Sequence, residues 1–134
     1  MPPEEPAACV ESLAVWLAAG DPAPLLIETS GSTGRPKRVL LSRAAMLAAA
    51  GATASRLGGQ GRWALRLPAS YVAGVQVVLR SLLAGHPPVL PGDPVGSAGS
   101  GSGERAAYTS LVPTQLHRML EQPEEVAALR DLRA

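Results

Sequence analysis

The chain has 134 residues, 46% of them apolar and 17% charged, so one modest domain with a packed core is within reach. Its net charge of +1 comes from scattered basic residues, which excludes a nucleic-acid footprint. The single cysteine, Cys9, excludes an intrachain disulfide and a cysteine-based metal cluster. Phe is absent and aromatics make up only 3%, so the core must rest on Leu, Val and Ala. Such small side chains bury less area each, at roughly 25 cal/mol per Å², and a marginal fold is expected for the chain standing alone. Glu4 and Glu5 stand where a secretory signal would carry basic residues, and no apolar run is long enough to span a bilayer. A soluble, cytoplasmic protein without a membrane partner is expected.

In chain order, Val10, Leu13 and Leu17 recur at helical spacing with Trp16 beside them, and Gly20 suits the position after the helix end. Leu25 to Ile27 reads as a short buried strand. A polar, Gly-rich turn runs from Thr29 to Pro36, and Val39 to Leu41 is a second strand. Ser42 has the chemistry of an N-cap, with Leu41 and Met46 placed for a hydrophobic staple. The helix it opens carries Met46, Ala49, Ala50, Thr53 and Leu57 on one face and stops at Gly58 and Gly59. Trp63 to Leu67 reads as a strand. Val75, Val78, Leu79 and Leu82 form a helical stripe closed by Gly85, and Pro88 to Leu90 is weakly strand-like. Pro91 to Gly103 is almost all Gly, Ser, Pro and Ala, and a flexible linker is expected over 92–103. Ala106 to Val112 resumes as a buried strand. Pro113 fits the first turn of a helix with Leu116, Met119 and Leu120, and Pro123, Glu124 and Glu125 open a last helix with acids at its positive end. Strands alternating with helices predict an α/β layer architecture, a mainly parallel sheet with flanking helices.

The stretch that carries chemistry is Thr29-Ser30-Gly31-Ser32-Thr33-Gly34-Arg35-Pro36-Lys37. Four hydroxyls, two glycines and the chain's only lysine lie within these nine residues. Gly31 and Gly34 permit positive φ and close backbone approach to a ligand. Successive N–H groups of such a turn can converge on one anion, and Lys37 adds charge to match phosphate oxygens. A Walker-type loop would need Gly at position 36 and Ser or Thr at 38; Pro36 and Arg38 stand there instead. The plainer alternative is a solvated Gly/Ser turn.

This nine-residue sequence resembles the signature phosphate loop of the adenylate-forming superfamily, which includes acyl-CoA synthetases, luciferases and peptide-synthetase adenylation domains. Leu67-Pro68-Ala69-Ser70-Tyr71-Val72-Ala73-Gly74-Val75-Gln76 resembles the next family segment, where a strand enters a helix near the acyl pocket. Tyr108-Thr109-Ser110-Leu111-Val112-Pro113-Thr114-Gln115-Leu116 resembles the later strand-to-helix segment. With Arg38-Val39-Leu40-Leu41-Ser42-Arg43, these look most like the o-succinylbenzoate–CoA ligase branch, which serves menaquinone biosynthesis. The resemblance spans about Leu25 to Leu120 and implies part of the N-terminal subdomain of such an enzyme. It implies ATP-dependent adenylation of a small carboxylic acid, then transfer of the acyl group to coenzyme A. Thr29, Ser30, Gly31, Ser32, Thr33 and Gly34 would hold the ATP phosphates, and Lys37 would act catalytically by neutralising the departing pyrophosphate. Tyr71, Gly74, Thr109 and Ser110 would fall on the acid-binding side.

The sequence departs from the family pattern in three places. The family often has His at the site of Ser70 or Tyr71. The Gly/Ser stretch from Gly96 to Gly103 stands where relatives carry a further helix. The aromatic-Gly-x-Thr-Glu motif, whose Glu helps bind Mg²⁺, the ribose-holding Asp and a second, adenylating lysine have no counterpart, so no metal ligand is assigned within the chain. An N-terminal fragment is expected, inactive alone, its partner a downstream fragment carrying the other half. A non-catalytic nucleotide- or pyrophosphate-binding module and a degenerate truncated product stay open as alternatives. Elsewhere, His86 and His117 lack companions at metal spacing and read as surface or helix-end residues, and Cys9 reads as a small buried side chain. Ser30 and Ser32 do not sit in a Gly-x-Ser-x-Gly elbow. The scattered arginines read as a solvated face.

Overall fold

Pro6 opens the first helix of the computed structural model, which describes residues 5–30, 34–91 and 106–133. The elements are α1 (Pro6–Ala18), β1 (Leu25–Ser30), β2 (Pro36–Leu41), α2 (Arg43–Leu57), β3 (Trp63–Ala64), α3 (Val72–Leu83), β4 (Tyr108–Thr109), α4 (Pro113–Met119) and α5 (Pro123–Arg130). The 92–103 stretch and the loop residues Gly31, Ser32 and Thr33 lie outside the described residues.

Local chemistry accounts for three helix ends. The Glu5 carboxylate accepts from the N–H groups of Ala7 at 3.3 Å and Ala8 at 2.9 Å, satisfying two donors at the start of α1. Ser42 caps α2 by accepting from Ala45 N–H at 3.1 Å, and Gly58 ends it in the left-handed conformation at φ 83°. The end of α1 is different. The helix stops at Ala18, and its cap, Ala19, is extended. The terminal carbonyls of Leu17, Ala19 and Gly20 all accept from the Arg43 guanidinium on α2. A cation at a helix C-terminus meets both the orphan carbonyls and the negative end of the dipole.

Among the described residues the α/β architecture holds and the sheet is parallel in part, split into two small sheets. β1 and β2 form an antiparallel hairpin, with Leu25 opposite Leu41 and Ser30 opposite Pro36. Two short strands separated by five residues close on themselves without a crossover helix, and the ladder therefore reaches further toward the turn than the apolar residues alone suggested. Pro36 is tolerated because it is the first residue of its strand. The parallel part is β3 with β4 on one side and a bridge from Ala64 to Val89 on the other. It covers less of Trp63–Leu67 and of Ala106–Val112 than their apolar character predicts, because backbone pairing stops where the chain turns into the next helix.

α3 holds these pieces together. Val75, Val77, Val78, Leu79 and Ser81 are buried on it, and it packs against α1, α2 and β3. The Ser81 hydroxyl accepts the Trp63 N–H at 3.1 Å, tying the helix to the sheet. Trp63 in turn stacks at 34° on Tyr108, ring centroids 5.2 Å apart, and carries the Arg80 guanidinium 5.1 Å from its ring centroid. The arginines are thus not all a solvated face. Arg62 is 3% exposed and donates to the Pro87 carbonyl at 2.7 Å, while Arg43 and Arg80 are used as described. Their long stems bury while Arg43 and Arg62 donate to backbone carbonyls and Arg80 lies over the Trp63 ring.

Two tests follow from the packing. A Cβ on Gly74 would fall 2.0 Å from the Pro68 carbonyl oxygen, a backbone atom that cannot rotate away. Gly74→Ala should lower stability by about 1–3 kcal/mol or more, read as a drop in the urea midpoint. Cys9 is fully buried and its thiol donates to the Ala69 carbonyl at 3.2 Å, so loss of hydration pushes its pKa above the ordinary thiol value. The folded state then holds the thiol proton longer than the unfolded chain. The corresponding stability is complete below the unfolded thiol pKa, about 8.5, and declines as pH rises above it. Urea titrations between neutral and alkaline pH should show a fall that Cys9→Ala lacks.

Candidate functional site

The hairpin register decides where the side chains of the polar loop's flanks go. Directly opposed residues of an antiparallel pair share a face. Leu25 with Leu41, Ile27 with Val39 and Thr29 with Lys37 therefore form one face, and Ile27 at its centre is fully buried. Leu26 with Leu40, Glu28 with Arg38 and Ser30 with Pro36 form the other. The two neighbouring cations are thereby separated. Arg38 pairs with Glu28 at 3.6 Å on the outer face. Lys37 continues the core-side face beyond Ile27, exposed at the loop end, and makes no ion pair among the described residues. The Thr29 hydroxyl makes a long hydrogen bond, 3.4 Å, to the Lys37 carbonyl and closes this end of the ladder.

A cavity of about 240 Å³ lies between the hairpin and α3, lined by Glu28, Thr29, Tyr71, Val72 and Ala73. Two sequence segments more than forty residues apart thus meet at one opening. Tyr71 is the N-cap of α3, extended at φ −93° and ψ 156°, and no side chain caps the helix there. It is 56% exposed. The first turn of a twelve-residue helix carries partial positive charge on the Tyr71 side of this opening, while the Glu28 carboxylate, paired with Arg38, also lines it.

The remaining candidate residues are placed as follows. Ser30 ends β1 opposite Pro36. Gly34 is left-handed at φ 76° and exposed, with nothing within 4 Å of a Cβ built there. Gly74 is buried against Pro68 and is not among the residues lining the cavity. The Thr109 hydroxyl donates to the Ala64 carbonyl at 2.9 Å, fastening β4 to β3, and Ser110 follows half-buried. Neither lines the cavity shared by Thr29 and Tyr71. The structure thus brings Thr29 and Tyr71 to one opening, sets Lys37 across the hairpin from Thr29, and gives Gly74 and Thr109 work in the packing. Sequence reasoning missed Glu28, Val72 and Ala73 as lining residues. Glu28 and Arg38 are equidistant from Thr33 in the sequence, and that symmetry of opposite charges could have revealed the hairpin and its register.

Among the described residues, no group of three or more His, Cys, Asp or Glu could hold a metal ion, and no helix is long and apolar enough to cross a membrane.

Comparison with known proteins places these features in a family context. Residues 3–134 match the family model described as AMP-binding enzyme. The chain is 42% identical over 123 residues to proteins described as "Probable 2-succinylbenzoate–CoA ligase" in two strains of Mycobacterium tuberculosis, CDC 1551 / Oshkosh and ATCC 25618 / H37Rv. Each match covers 85% of this chain and 32% of the relative, so the chain spans about a third of the length of these curated relatives. Its fold superposes on the acyl-CoA synthetase (AMP-forming)/AMP-acid ligase II-like protein of Dyadobacter fermentans DSM 18053 with a TM-score of 0.68. That superposition has 25% sequence identity and covers 98% of this chain and 38% of the other.

The Glu28–Arg38 pair is solvent-exposed, and such pairs contribute roughly 0–1 kcal/mol. Arg38→Ala should therefore shift the urea midpoint only slightly and leave the far-ultraviolet circular dichroism spectrum unchanged. A loss of several kcal/mol would show that the pair does more than mark the register.

Proposed function

We propose, from the premise that this chain belongs to the AMP-binding enzyme family, that it supplies the pyrophosphate grip of an ATP-dependent acid–CoA ligase. The names of the Mycobacterium tuberculosis relatives favour o-succinylbenzoate as the acid, and with it a role in menaquinone biosynthesis. A cytoplasmic setting belongs to the same reading, since the reaction consumes ATP and coenzyme A.

The single observation that carries the proposal is the cross-strand pair Thr29–Lys37 at the end of a hairpin whose loop is Gly31 to Arg35. Lys37 stands exposed on the core-side face, while Arg38 is engaged with Glu28. Charge-assisted hydrogen bonds from Lys37, with loop N–H groups and hydroxyls, suit the β- and γ-phosphates. In the first step a carboxylate oxygen of the acid attacks the α-phosphorus, the bond to the bridging oxygen breaks and pyrophosphate leaves with its charge. Lys37 neutralises that charge as it develops, a contribution realised most strongly in the transition state. The acid lies in the cavity beside Tyr71, its carboxylate favoured by the N-terminus of α3. In the second step the thiol of coenzyme A attacks the acyl carbon and AMP departs.

Magnesium accompanies ATP in this chemistry, but the described residues do not fit a resident ion. No metal-binding group of acids and histidines occurs among them, and Glu28 is paired with Arg38. No step is assigned to a metal here. The 32% share of the relatives' length favours a second reading for the chain by itself, in which it binds ATP or pyrophosphate without turnover.

The test is a titration of ¹⁵N-labelled chain with pyrophosphate and with ATP. Amide shifts should centre on Ser32 to Lys37. Lys37→Ala should weaken binding by about 1–3 kcal/mol, roughly tenfold or more, while Arg38→Ala should leave it nearly unchanged. Shifts confined to Val75 or Leu116 would sink the assignment. Pyrophosphate release with ATP, Mg²⁺ and o-succinylbenzoate, against the Lys37→Ala control, separates the ligase from the binding module.

A further inference from the structure

A smaller cavity, of about 20 Å³, lies between α2 and α3 and shares no lining residue with the opening beside Tyr71. α2 gives it Ala50, Ala54 and Leu57, spaced four and three residues apart, so one helix face forms a wall. α3 gives it Arg80 and Leu83, and β3 gives it Trp63. No acidic residue lines it, and Arg80 is the one formal charge on its lining. The Thr53 hydroxyl, also on the wall, donates to the Ala49 carbonyl at 3.1 Å and leaves no proton for the cavity. The partners of Arg80 are all neutral. Its guanidinium lies 5.1 Å from the Trp63 ring centroid and donates through Nη2 to Gln76 Oε1 at 2.7 Å. It makes no ion pair among the described residues. Its Nε is buried and has no hydrogen-bond partner among them. Arg43 and Arg62, by contrast, place their donors on backbone carbonyls.

Burial pulls the Arg80 pKa below the ordinary guanidinium value, yet an arginine stays charged in a protein. A charge drawn partly out of water and left with neutral partners is costly, and a counter-ion beside it offsets that cost. Size then selects the ion. One water-sized sphere needs roughly 10–15 Å³ of such space, so the cavity takes a single small sphere and excludes polyatomic anions such as phosphate or acetate. We propose that this cavity is a binding site for one monovalent anion of halide size, held by the buried Nε–H of Arg80 against the alanine wall of α2. Chloride fits that wall better than fluoride, which holds its water more tightly. The bound ion ties the end of α2 to α3, so the fold gains stability as chloride rises. The proposal uses neither family membership nor the phosphate-loop reading, and each can fail without the other.

The experiment follows the ³⁵Cl line width of chloride added to the purified chain, with chloride replacing gluconate at constant ionic strength. Excess broadening that saturates and is displaced by bromide is expected, together with a urea midpoint that rises with chloride. Arg80→Met should weaken the binding about tenfold or more, as loss of a charge-assisted hydrogen bond does. Ala54→Val keeps the charge and fills the cavity, and it should remove the same broadening. Where Arg80→Met does not fold by circular dichroism, Arg80→Lys, which keeps the charge but has no Nε–H, should show the same weakening. Lys37→Ala should leave the broadening intact. Absence of saturable broadening would overturn the proposal, since water would then be the occupant. Broadening that persists in Ala54→Val would overturn it too, by placing the ion outside the cavity. So would broadening lost with Lys37→Ala, which would place the ion at the hairpin.

Discussion

The missing side chain at position 74 sets the position of α3, and α3 positions nearly everything else. With no Cβ there, the helix seats its first turn directly on the Pro68 carbonyl. Val75, Val78 and Leu79 can then join one cluster with Leu13 of α1, Ile27 of β1, Met46 of α2 and Trp63 of β3. A protein without phenylalanine has few large side chains with which to bridge a gap. It compensates by close approach, since interiors lose stability for any void comparable to a methyl group. Burial at position 74 thus links a single residue type to the spacing between the helix and the hairpin, and hence to the cavity that opens between them.

The second constraint is register. A slip of one residue in the hairpin would move every side chain to the opposite face. Lys37 would then leave the core-side face, and Arg38 would take its place there. Two features oppose the slip. Ile27 is fully buried, and a slip that put Glu28 in its place would bring a charged group into the core. Glu28 and Arg38 face each other outside, and a slip would separate them. The ion pair contributes little energy by itself, yet it disfavours the wrong alignment, a role that small electrostatic terms fill well.

These constraints also explain what could be read in the sequence. The helices were legible because their ends are written locally: Ser42 and Gly58 bound α2, and Pro113 and Pro123 open α4 and α5. The family was legible because the stretch from Thr29 to Lys37 gathers four hydroxyls, two glycines and a lysine in nine residues, and the family it resembles is the one whose model matches residues 3–134. Arg43 was not legible in its real role, because the carbonyls it satisfies lie more than twenty residues earlier and no local pattern announces them. The parallel sheet was legible only in part, for a related reason. Alternation of strands and helices argues for parallel pairing only when a crossover of a dozen or more residues joins the paired strands, and only five residues separate Ser30 from Pro36. Thr109 looked like a binding hydroxyl next to a family motif. Its bond to the Ala64 carbonyl became visible only when β3 and β4 were placed side by side.

The proposed chemistry draws on both constraints at once. Adenylation needs two anions, a carboxylate and a triphosphate, to approach in line, and they repel. Holding them in the correct geometry can supply roughly 7–11 kcal/mol of the barrier. On the proposed reading the two grips belong to different elements, the hairpin for the phosphates and the start of α3 for the carboxylate. Each offers positive potential of its own, from Lys37 on one side and from helix N–H groups on the other. Their separation is set by packing. It is fixed by Ile27 and Val75, both fully buried in the same cluster. A change in that packing, even one far from any substrate atom, would alter the angle of attack at phosphorus. If Lys37 acts as proposed, the catalytic demand falls on the apolar core as much as on Lys37, and the tight seat of Gly74 is where core and chemistry become one requirement.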